Sequence, residues 1–107
     1  MGPARVLVAD DDRFMRALVR QTLTEGGLVV TEAADGRAAL EAVRADPPDV
    51  LVLDLMMPHL DGFQVLAALE ADGLFDALQV IVLTGRASHE VLTRALEAGA
   101  ADYIAKP

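Results

Sequence analysis

Short, solid apolar blocks alternate along the chain with longer segments whose apolar positions recur at helical spacing. Five such blocks occur, at residues 6–9, 28–30, 50–53, 80–83 and 101–105, and the last of them is the weakest. A block that is apolar at successive positions has no solvated face, which is typical of the buried strands of a parallel sheet. The pattern therefore predicts five parallel β-strands separated by helices.

Each predicted helix follows a residue whose side chain can accept hydrogen bonds from the first free N–H groups of a helix. These residues are Asp12, Asp35, Asp61 and Ser88. The first two helices are predicted over residues 13–25 and 36–45, and in the first one Phe14, Leu18 and Val19 are predicted to face the sheet. Strands and helices that alternate in this way predict right-handed crossovers and an open, doubly wound α/β sheet with helices on both faces.

The fifth predicted strand reaches almost to Pro107, the last residue of the sequence. A sheet that is covered on both faces would need one more helix, of roughly 11 residues. Either the domain is truncated or another chain covers that face, and we favour truncation. We therefore expect one domain over residues 1–107, without its final helix and without a second domain.

Composition and charge exclude several classes of protein. Hydrophobic residues make up 53% of 107 residues, which is enough for one packed core, and no apolar run approaches the ~20 residues of a membrane span. Cysteine is absent, so disulfides, thiolate metal sites and thiol catalysis are excluded. The net charge of −8 argues against direct binding to nucleic acid, because phosphate binding needs a basic face. Without a visible signal peptide, the cytoplasm is the simplest location.

The residues that could carry chemistry follow the predicted strands, at the edge where open α/β sheets bind their ligands. Asp10 and Asp11 follow the first strand, Asp54 the third, Thr84 the fourth, and Lys106 the fifth. Two carboxylates about 4 Å apart repel by about 4 kcal/mol at an effective dielectric constant of 20, so a pocket holding three of them needs positive charge. Lys106, the sole lysine, would supply one charge, and a hard divalent cation such as Mg²⁺ would supply the rest.

Such a pocket suits the transfer of a phosphoryl group. A bound cation, an ammonium group and the hydroxyl of Thr84 would together stabilise the charge of a phosphoryl group in transfer, and Gly85 leaves room beside them. An aspartate in this environment can act as a nucleophile and form an acyl phosphate.

At this point the sequence resembles the response-regulator receiver domains. The motifs that carry the resemblance are Asp10-Asp11, Asp54 with Met57-Pro58 and Asp61-Gly62 after it, Thr84-Gly85, and Tyr103 before Lys106-Pro107. These motifs occur in the same order as in the family, and they extend over nearly the whole chain. The resemblance implies a flavodoxin-like sheet of strand order 2-1-3-4-5 and a role in two-component signalling. A sensor histidine kinase, a phosphotransfer protein or a small phosphodonor would phosphorylate the domain, and an attached or separate effector would respond.

The resemblance also implies a phosphoacceptor and a metal site. Asp54 corresponds to the phosphoacceptor of the family. Asp10, Asp11 and Asp54, with the backbone carbonyl of Met56, correspond to the groups that hold Mg²⁺, and Asp10 acts partly through water.

The remaining roles implied by the resemblance concern the phosphoryl group and the switch. Thr84, Gly85 and Lys106 would bind the phosphoryl group, and Thr84 would swing toward it while Tyr103 turns inward. This movement would change the surface around the fourth helix and the fifth strand, through which a homodimer could also form. The peptide bond before Pro107 would be cis, a conformation that proline permits.

Two alternatives belong to other functional classes. One is a receiver-like binding module that is not phosphorylated in use. The other is a phosphohydrolase of the haloacid-dehalogenase type, which also uses a strand-end aspartate and Mg²⁺ but carries a second aspartate two residues later, where this chain has Met56. We therefore expect a domain that promotes its own phosphorylation and dephosphorylation, and not an enzyme that turns over a free substrate.

Overall fold

A computed structural model of the protein describes residues 2–85 and 88–106, and in it five parallel strands form one sheet of order β2-β1-β3-β4-β5. The strands are β1 (Arg5–Ala9), β2 (Val29–Ala33), β3 (Val50–Asp54), β4 (Gln79–Thr84) and β5 (Asp102–Ala105). The predicted doubly wound, flavodoxin-like fold is confirmed.

Helices connect the strands at the predicted places. They are α1 (Arg13–Glu25), α2 (Gly36–Ala45), α3 (Gly62–Ala71) and α4 (His89–Glu97), and a short 3₁₀ turn, Leu74–Asp76, precedes β4. The four predicted N-cap side chains each accept a hydrogen bond from a backbone N–H group in the first turn of their helix. Over the described ranges, no helix has both the length and the apolar character that crossing a membrane requires.

One face of the sheet is fully packed. Successive strand residues point to opposite faces, so Leu7, Leu51 and Leu53 lie together on the side that α2, α3 and α4 cover. They join the buried apolar residues of these helices in the larger of two core clusters. This core fixes the strands from which the polar residues at their carboxyl ends project.

The opposite face is packed less completely, and the predicted inward face of α1 is partly wrong. Met15, Val19 and Leu23 pack against this side of the sheet, whereas Phe14 is 78% exposed and Leu18 is 53% exposed. A helix contacts a flat sheet along one narrow stripe. Residues at i, i+4 and i+8 occupy that stripe in α1. Leu18, although half exposed, lines the apolar groove between α1 and the sheet as predicted, whereas Phe14 is turned to solvent.

The edge strands differ most from the expected pattern. β2 begins one residue later than expected and continues to Ala33, through the polar residues Thr31 and Glu32. All residues of β5 are exposed. Both strands lie at the edges of the sheet, where a strand has a neighbour on one side only. The predicted cis peptide bond before Pro107 lies outside the described residues.

Candidate metal and phosphoryl site

Strand register brings distant acidic residues together at the carboxyl edge of the sheet. Ala9, the last residue of β1, pairs with Leu53 of β3. The next residues in the two strands, Asp10 and Asp54, therefore lie side by side. One oxygen from each of Asp10, Asp11 and Asp54 lies within 4.8 Å of the others. Asp10 and Asp54 are buried, and Asp11 is exposed, so the cluster opens to solvent on the side of Asp11.

Lys106 faces two of these carboxylates. Its Nζ lies 3.0 Å from Asp10 Oδ2 and 3.2 Å from Asp54 Oδ2. Its backbone N–H donates to the carbonyl of Thr84 at 2.8 Å, which holds the residue after β5 against the end of β4. Burial alone would lower the pKa of Lys106, but hydrogen bonds and charge interactions with Asp10 and Asp54 outweigh it and raise that pKa. Lys106 is therefore a fixed positive charge in the pocket.

The position of Asp54 disfavours its charged form. Burial is the main reason that its pKa is raised from 3.8 to about 6, and the neighbouring charge of Asp10 raises it further. The N–H of Met56, which donates to Asp54 Oδ1 at 3.0 Å, and the ammonium of Lys106 both oppose this change. Without further positive charge, the pocket holds the Asp54 carboxylate in an unfavourable state.

Asp10 supplies a second sign that the pocket suits a cation. Its Oδ1 accepts the backbone N–H of Asp12 at 2.9 Å. Its buried Oδ2 is paired with Lys106 Nζ at 3.0 Å, so Asp10 and Asp54 share a single ammonium group. Three carboxylates facing one ammonium leave an excess of negative charge, and hard oxygen ligands with an open side fit Mg²⁺. The residues present therefore fit the cation that the sequence suggests.

The other predicted site residues lie at the same edge, with one exception. Thr84 ends β4 and is buried, and Gly85 beside it is exposed, with no atom of any described residue beyond its chain neighbours within 4 Å of the position that a Cβ would take. Met56 is 52% exposed and lies with Asp11 along a common groove. Tyr103, in contrast, lies on the edge strand β5 and is 40% exposed. In this structure its ring is not enclosed in the pocket.

The groove beside the pocket contains a contact that the sequence did not reveal. It has a volume of about 610 Å³ and runs between α3 and α4. The guanidinium carbon of Arg94 lies 3.8 Å from the centre of the Phe63 ring, a cation–π contact that joins these two helices. The residues are far apart in sequence and share no motif, so only the packing of α4 beside α3 brings them together.

A glycine behind the phosphoacceptor candidate allows α3 to approach β3. A Cβ on Gly62 would lie 2.6 Å from the backbone oxygen of Asp54 and 2.6 Å from Cα of Leu55. The N–H of Gly62 donates to the carbonyl of Leu55 at 3.0 Å. The Asp61-Gly62 motif therefore has a local reason: Asp61 caps the helix, and Gly62 permits its close approach.

Comparison with known proteins shows which family the chain resembles. A family model described as the response regulator receiver domain matches residues 6–107. The chain is 47% identical over 105 residues to the response regulator MprA of Mycolicibacterium vanbaalenii, covering 98% of this chain and 45% of that protein. It is 48% identical over 103 residues to MprA of Mycobacterium ulcerans, covering 96% and 44%. The chain thus spans less than half the length of these curated relatives.

Solved structures show the same fold. The receiver domain of the Francisella response regulator 1452 has a TM-score of 0.91 and 36% identity, covering 97% of this chain and 84% of that one. The chemotaxis protein CheY4 of Vibrio cholerae has a TM-score of 0.91 and 32% identity, covering 99% and 88%. The signal receiver domain of the putative regulator NarL from Mycobacterium tuberculosis has a TM-score of 0.87 and 37% identity, covering 96% and 83%.

Proposed function

The chain belongs to the response regulator receiver domain family, and from that premise we propose that it accepts a phosphoryl group on Asp54 in a Mg²⁺-dependent reaction. One observation carries the proposal. The carboxylates of Asp10, Asp11 and Asp54 lie within 4.8 Å of one another, and Lys106 Nζ lies 3.0 Å from Asp10 and 3.2 Å from Asp54. This arrangement combines a nucleophile with groups that can hold a cation and a phosphoryl oxygen.

In the proposed reaction Asp54 is the nucleophile. Its pKa of about 6 leaves it mostly ionised at pH 7. One carboxylate oxygen forms a bond to phosphorus, while the phosphorus–nitrogen bond of a phosphohistidine, or the phosphorus–oxygen bond of a small acyl phosphate, breaks and the leaving group keeps the electron pair. Mg²⁺, when bound, would neutralise charge on the phosphoryl oxygens.

The remaining residues bind and orient. Asp10, Asp11 and the backbone carbonyl of Met56 would complete the Mg²⁺ site with Asp54. Lys106, which contacts Asp54 before transfer, would hold a phosphoryl oxygen afterwards, and Thr84 would donate its hydroxyl to another. The small side of Gly85, which no other described residue beyond its chain neighbours approaches, supports access to the phosphoryl group.

Phosphorylation would then change the surface around α4 and β5. We propose that Thr84 moves toward the phosphoryl group and that Tyr103, exposed in this structure, turns inward. Leu96 is 44% exposed and Ile104 is 53% exposed, so these two elements carry apolar surface that could join two copies of the chain.

The proposed partners are a sensor histidine kinase or a phosphotransfer protein, and an effector that is attached or separate. The acidic net charge of −8 supports an output that does not depend on direct contact between this domain and nucleic acid. We also propose that the domain acts in the cytoplasm. It would promote its own phosphorylation and dephosphorylation without turning over a free substrate.

Incubation with acetyl phosphate and Mg²⁺, followed by intact-protein mass spectrometry, tests the proposal. We expect the wild type to gain one phosphoryl group, Asp54→Asn to gain none, and wild type without Mg²⁺ to gain far less. Asp61→Asn is the matched control, because it changes a nearby aspartate outside the cluster and keeps a good N-cap. It should react like the wild type.

Two results would contradict the proposal. Equal labelling of wild type and Asp54→Asn would place the phosphoryl group elsewhere. A wild type that stays unlabelled, and whose amide chemical shifts do not respond to beryllofluoride with Mg²⁺, would favour a binding module that is not phosphorylated. Multiple turnover on a free phosphomonoester would instead indicate a phosphohydrolase.

A further inference from the structure

Arg16 on α1 joins the acidic pocket to the edge strand β2. Its Nη1 donates to the backbone carbonyl oxygen of Asp10 at 2.8 Å, and its Nε donates to Glu32 Oε1 at 3.0 Å. The Arg16 side chain is 17% exposed, and its bond to the Asp10 carbonyl is partly buried, whereas its bond to Glu32 is exposed. Arg20, one turn later, also binds Glu32, at 2.7 Å, but its side chain is 56% exposed and it has no bond to Asp10.

Glu32 holds the guanidinium of Arg16 in place. The hydrogen bond from Arg20 is the main reason that the pKa of Glu32 is lowered. Burial acts in the opposite direction, and the hydrogen bond from Arg16 lowers the pKa further. Glu32 is therefore ionised at neutral pH and is a charged acceptor. Such charge-assisted hydrogen bonds are stronger than neutral ones.

The carbonyl that Arg16 binds belongs to the peptide group between Asp10 and Asp11. A peptide group is planar, so fixing its oxygen fixes the plane and the direction in which the chain enters Asp11. The Asp11 carboxylate itself accepts no hydrogen bond from any described residue, whereas Asp10 Oδ1 accepts one from the Asp12 N–H. Arg16 thus restrains the backbone from which the exposed member of the acidic cluster projects.

We propose that Arg16 is a positioning residue, which holds Asp11 through the Asp10 carbonyl so that the acidic cluster is prepared to bind Mg²⁺. The inference rests on the proposed function, because it concerns the metal site of that function. Among the described residues, Arg16 donates no hydrogen bond to a carboxylate of the acidic cluster, so it would act through the backbone. Groups that orient metal ligands in this way commonly change metal affinity by about 10- to 100-fold when they are replaced.

The test is a Mg²⁺ titration of the full chain, followed by backbone amide chemical shifts. Arg16→Met keeps an apolar stem but removes both hydrogen bonds, and we expect it to weaken Mg²⁺ binding about tenfold. The matched control, Arg20→Met, removes a bond to the same glutamate without touching Asp10, so its affinity should stay near that of the wild type. Arg16→Lys keeps a charged donor and should bind Mg²⁺ more tightly than Arg16→Met.

A second variant makes the test independent of the folding of Arg16→Met. Glu32→Gln leaves Arg16 in place but weakens its anchor, so it should lower Mg²⁺ affinity by less than Arg16→Met does. The urea midpoint of each metal-free variant separates positioning from general destabilisation. The two arginine variants can be compared at temperatures at which they have the same urea midpoint. Under those conditions Arg16→Met should still lose more Mg²⁺ affinity than Arg20→Met.

The outcomes distinguish this inference from the proposed function. If the wild type binds no Mg²⁺ at the pocket, the proposed function fails. If the wild type binds Mg²⁺ and Arg16→Met and Glu32→Gln bind it equally well, only the role of Arg16 is overturned. Equal losses in Arg16→Met and Arg20→Met would also overturn it, because the Asp10 carbonyl would then have no special part.

Discussion

Aspartates at the helix starts and aspartates at the strand ends occupy opposite environments in this molecule. Asp12, Asp35 and Asp61 precede helices, and each accepts a backbone N–H group at a helix N-terminus. Asp10 and Asp54 are buried beside each other, and only part of their charge is offset by Lys106. The same side chain therefore stabilises the fold in one region and opposes it in the other.

The physical difference is the sign of the surrounding field. A carboxylate at a helix N-terminus meets free N–H groups and the positive end of the helix dipole, so its charge is favoured. A carboxylate in the pocket meets other carboxylates and little water, as the raised pKa of Asp54 records. An electrostatic conflict of this kind is expected where the charges serve a bound cation and not the fold.

The largest expected effect comes from removing the charge that the fold tolerates least. Asp54→Asn should stabilise the metal-free protein at pH 7 by between about 1 and about 3 kcal/mol, since a pKa change from 3.8 to about 6 corresponds to about 3 kcal/mol. Loss of a partner for Lys106 reduces the gain, although Lys106 keeps its contact with Asp10. Urea unfolding of both proteins in the presence of a chelator measures the difference.

The sign of the pH dependence sharpens this prediction. Between pH 3.8 and about 6 the folded state binds more protons at Asp54 than the unfolded state, so this group's contribution to stability falls as pH rises through that window. The advantage of Asp54→Asn should therefore be full at pH 7 and above and should fade toward pH 4. A difference that is constant with pH, or a destabilised variant, would contradict the contrast between the two regions.

A smaller effect of opposite sign is expected at the helix starts. Asp61 accepts the N–H of Gln64 at 2.9 Å, and the Gln64 side chain accepts the N–H of Asp61 at 2.9 Å. Asp61→Ala breaks this reciprocal pair and should destabilise the protein by about 1 kcal/mol, whereas Asp61→Asn should cost only a few tenths of a kcal/mol. Urea midpoints give both values. If Asp61→Ala stabilised the protein, aspartates at helix starts and at strand ends would not differ in their effect on the fold.

The features predicted best from the sequence are those with local causes. The four N-caps are confirmed because a cap depends on a side chain and the few residues that follow it. The residues at the strand ends could be named because parallel strands all end at one edge. The strand order, in contrast, came from resemblance to a family, since the apolar blocks alone do not say which strands are neighbours.

The features that sequence reasoning missed depend on tertiary packing. The spacing in α1 is compatible with more than one apolar stripe, and only its contact with the sheet decides that Val19 packs while Phe14 remains exposed. The bond from Arg16 to the Asp10 carbonyl uses a backbone acceptor, which every residue possesses, so no residue pattern identifies it. The cation–π contact described above likewise depends on how two helices pack.

The smallest effect is expected for an aspartate that belongs to neither region. Asp72 follows α3 and pairs with Arg44 Nε at 2.6 Å, and the two side chains are 33% and 52% exposed. An exposed pair of this kind contributes roughly 0–1 kcal/mol, and a carboxylate at a helix C-terminus is disfavoured by the helix dipole by about 0.3–1 kcal/mol. The two effects oppose each other, so Asp72→Asn should change the free energy of unfolding by less than about 0.5 kcal/mol.

A double-mutant cycle with Arg44→Ala measures the coupling between Asp72 and Arg44. The coupling should be small, and at high salt it should shrink further because salt screens it. A coupling above about 2 kcal/mol would show that an exposed aspartate can affect stability as strongly as a buried one. Burial would then not explain why the aspartates at the strand ends differ from those elsewhere.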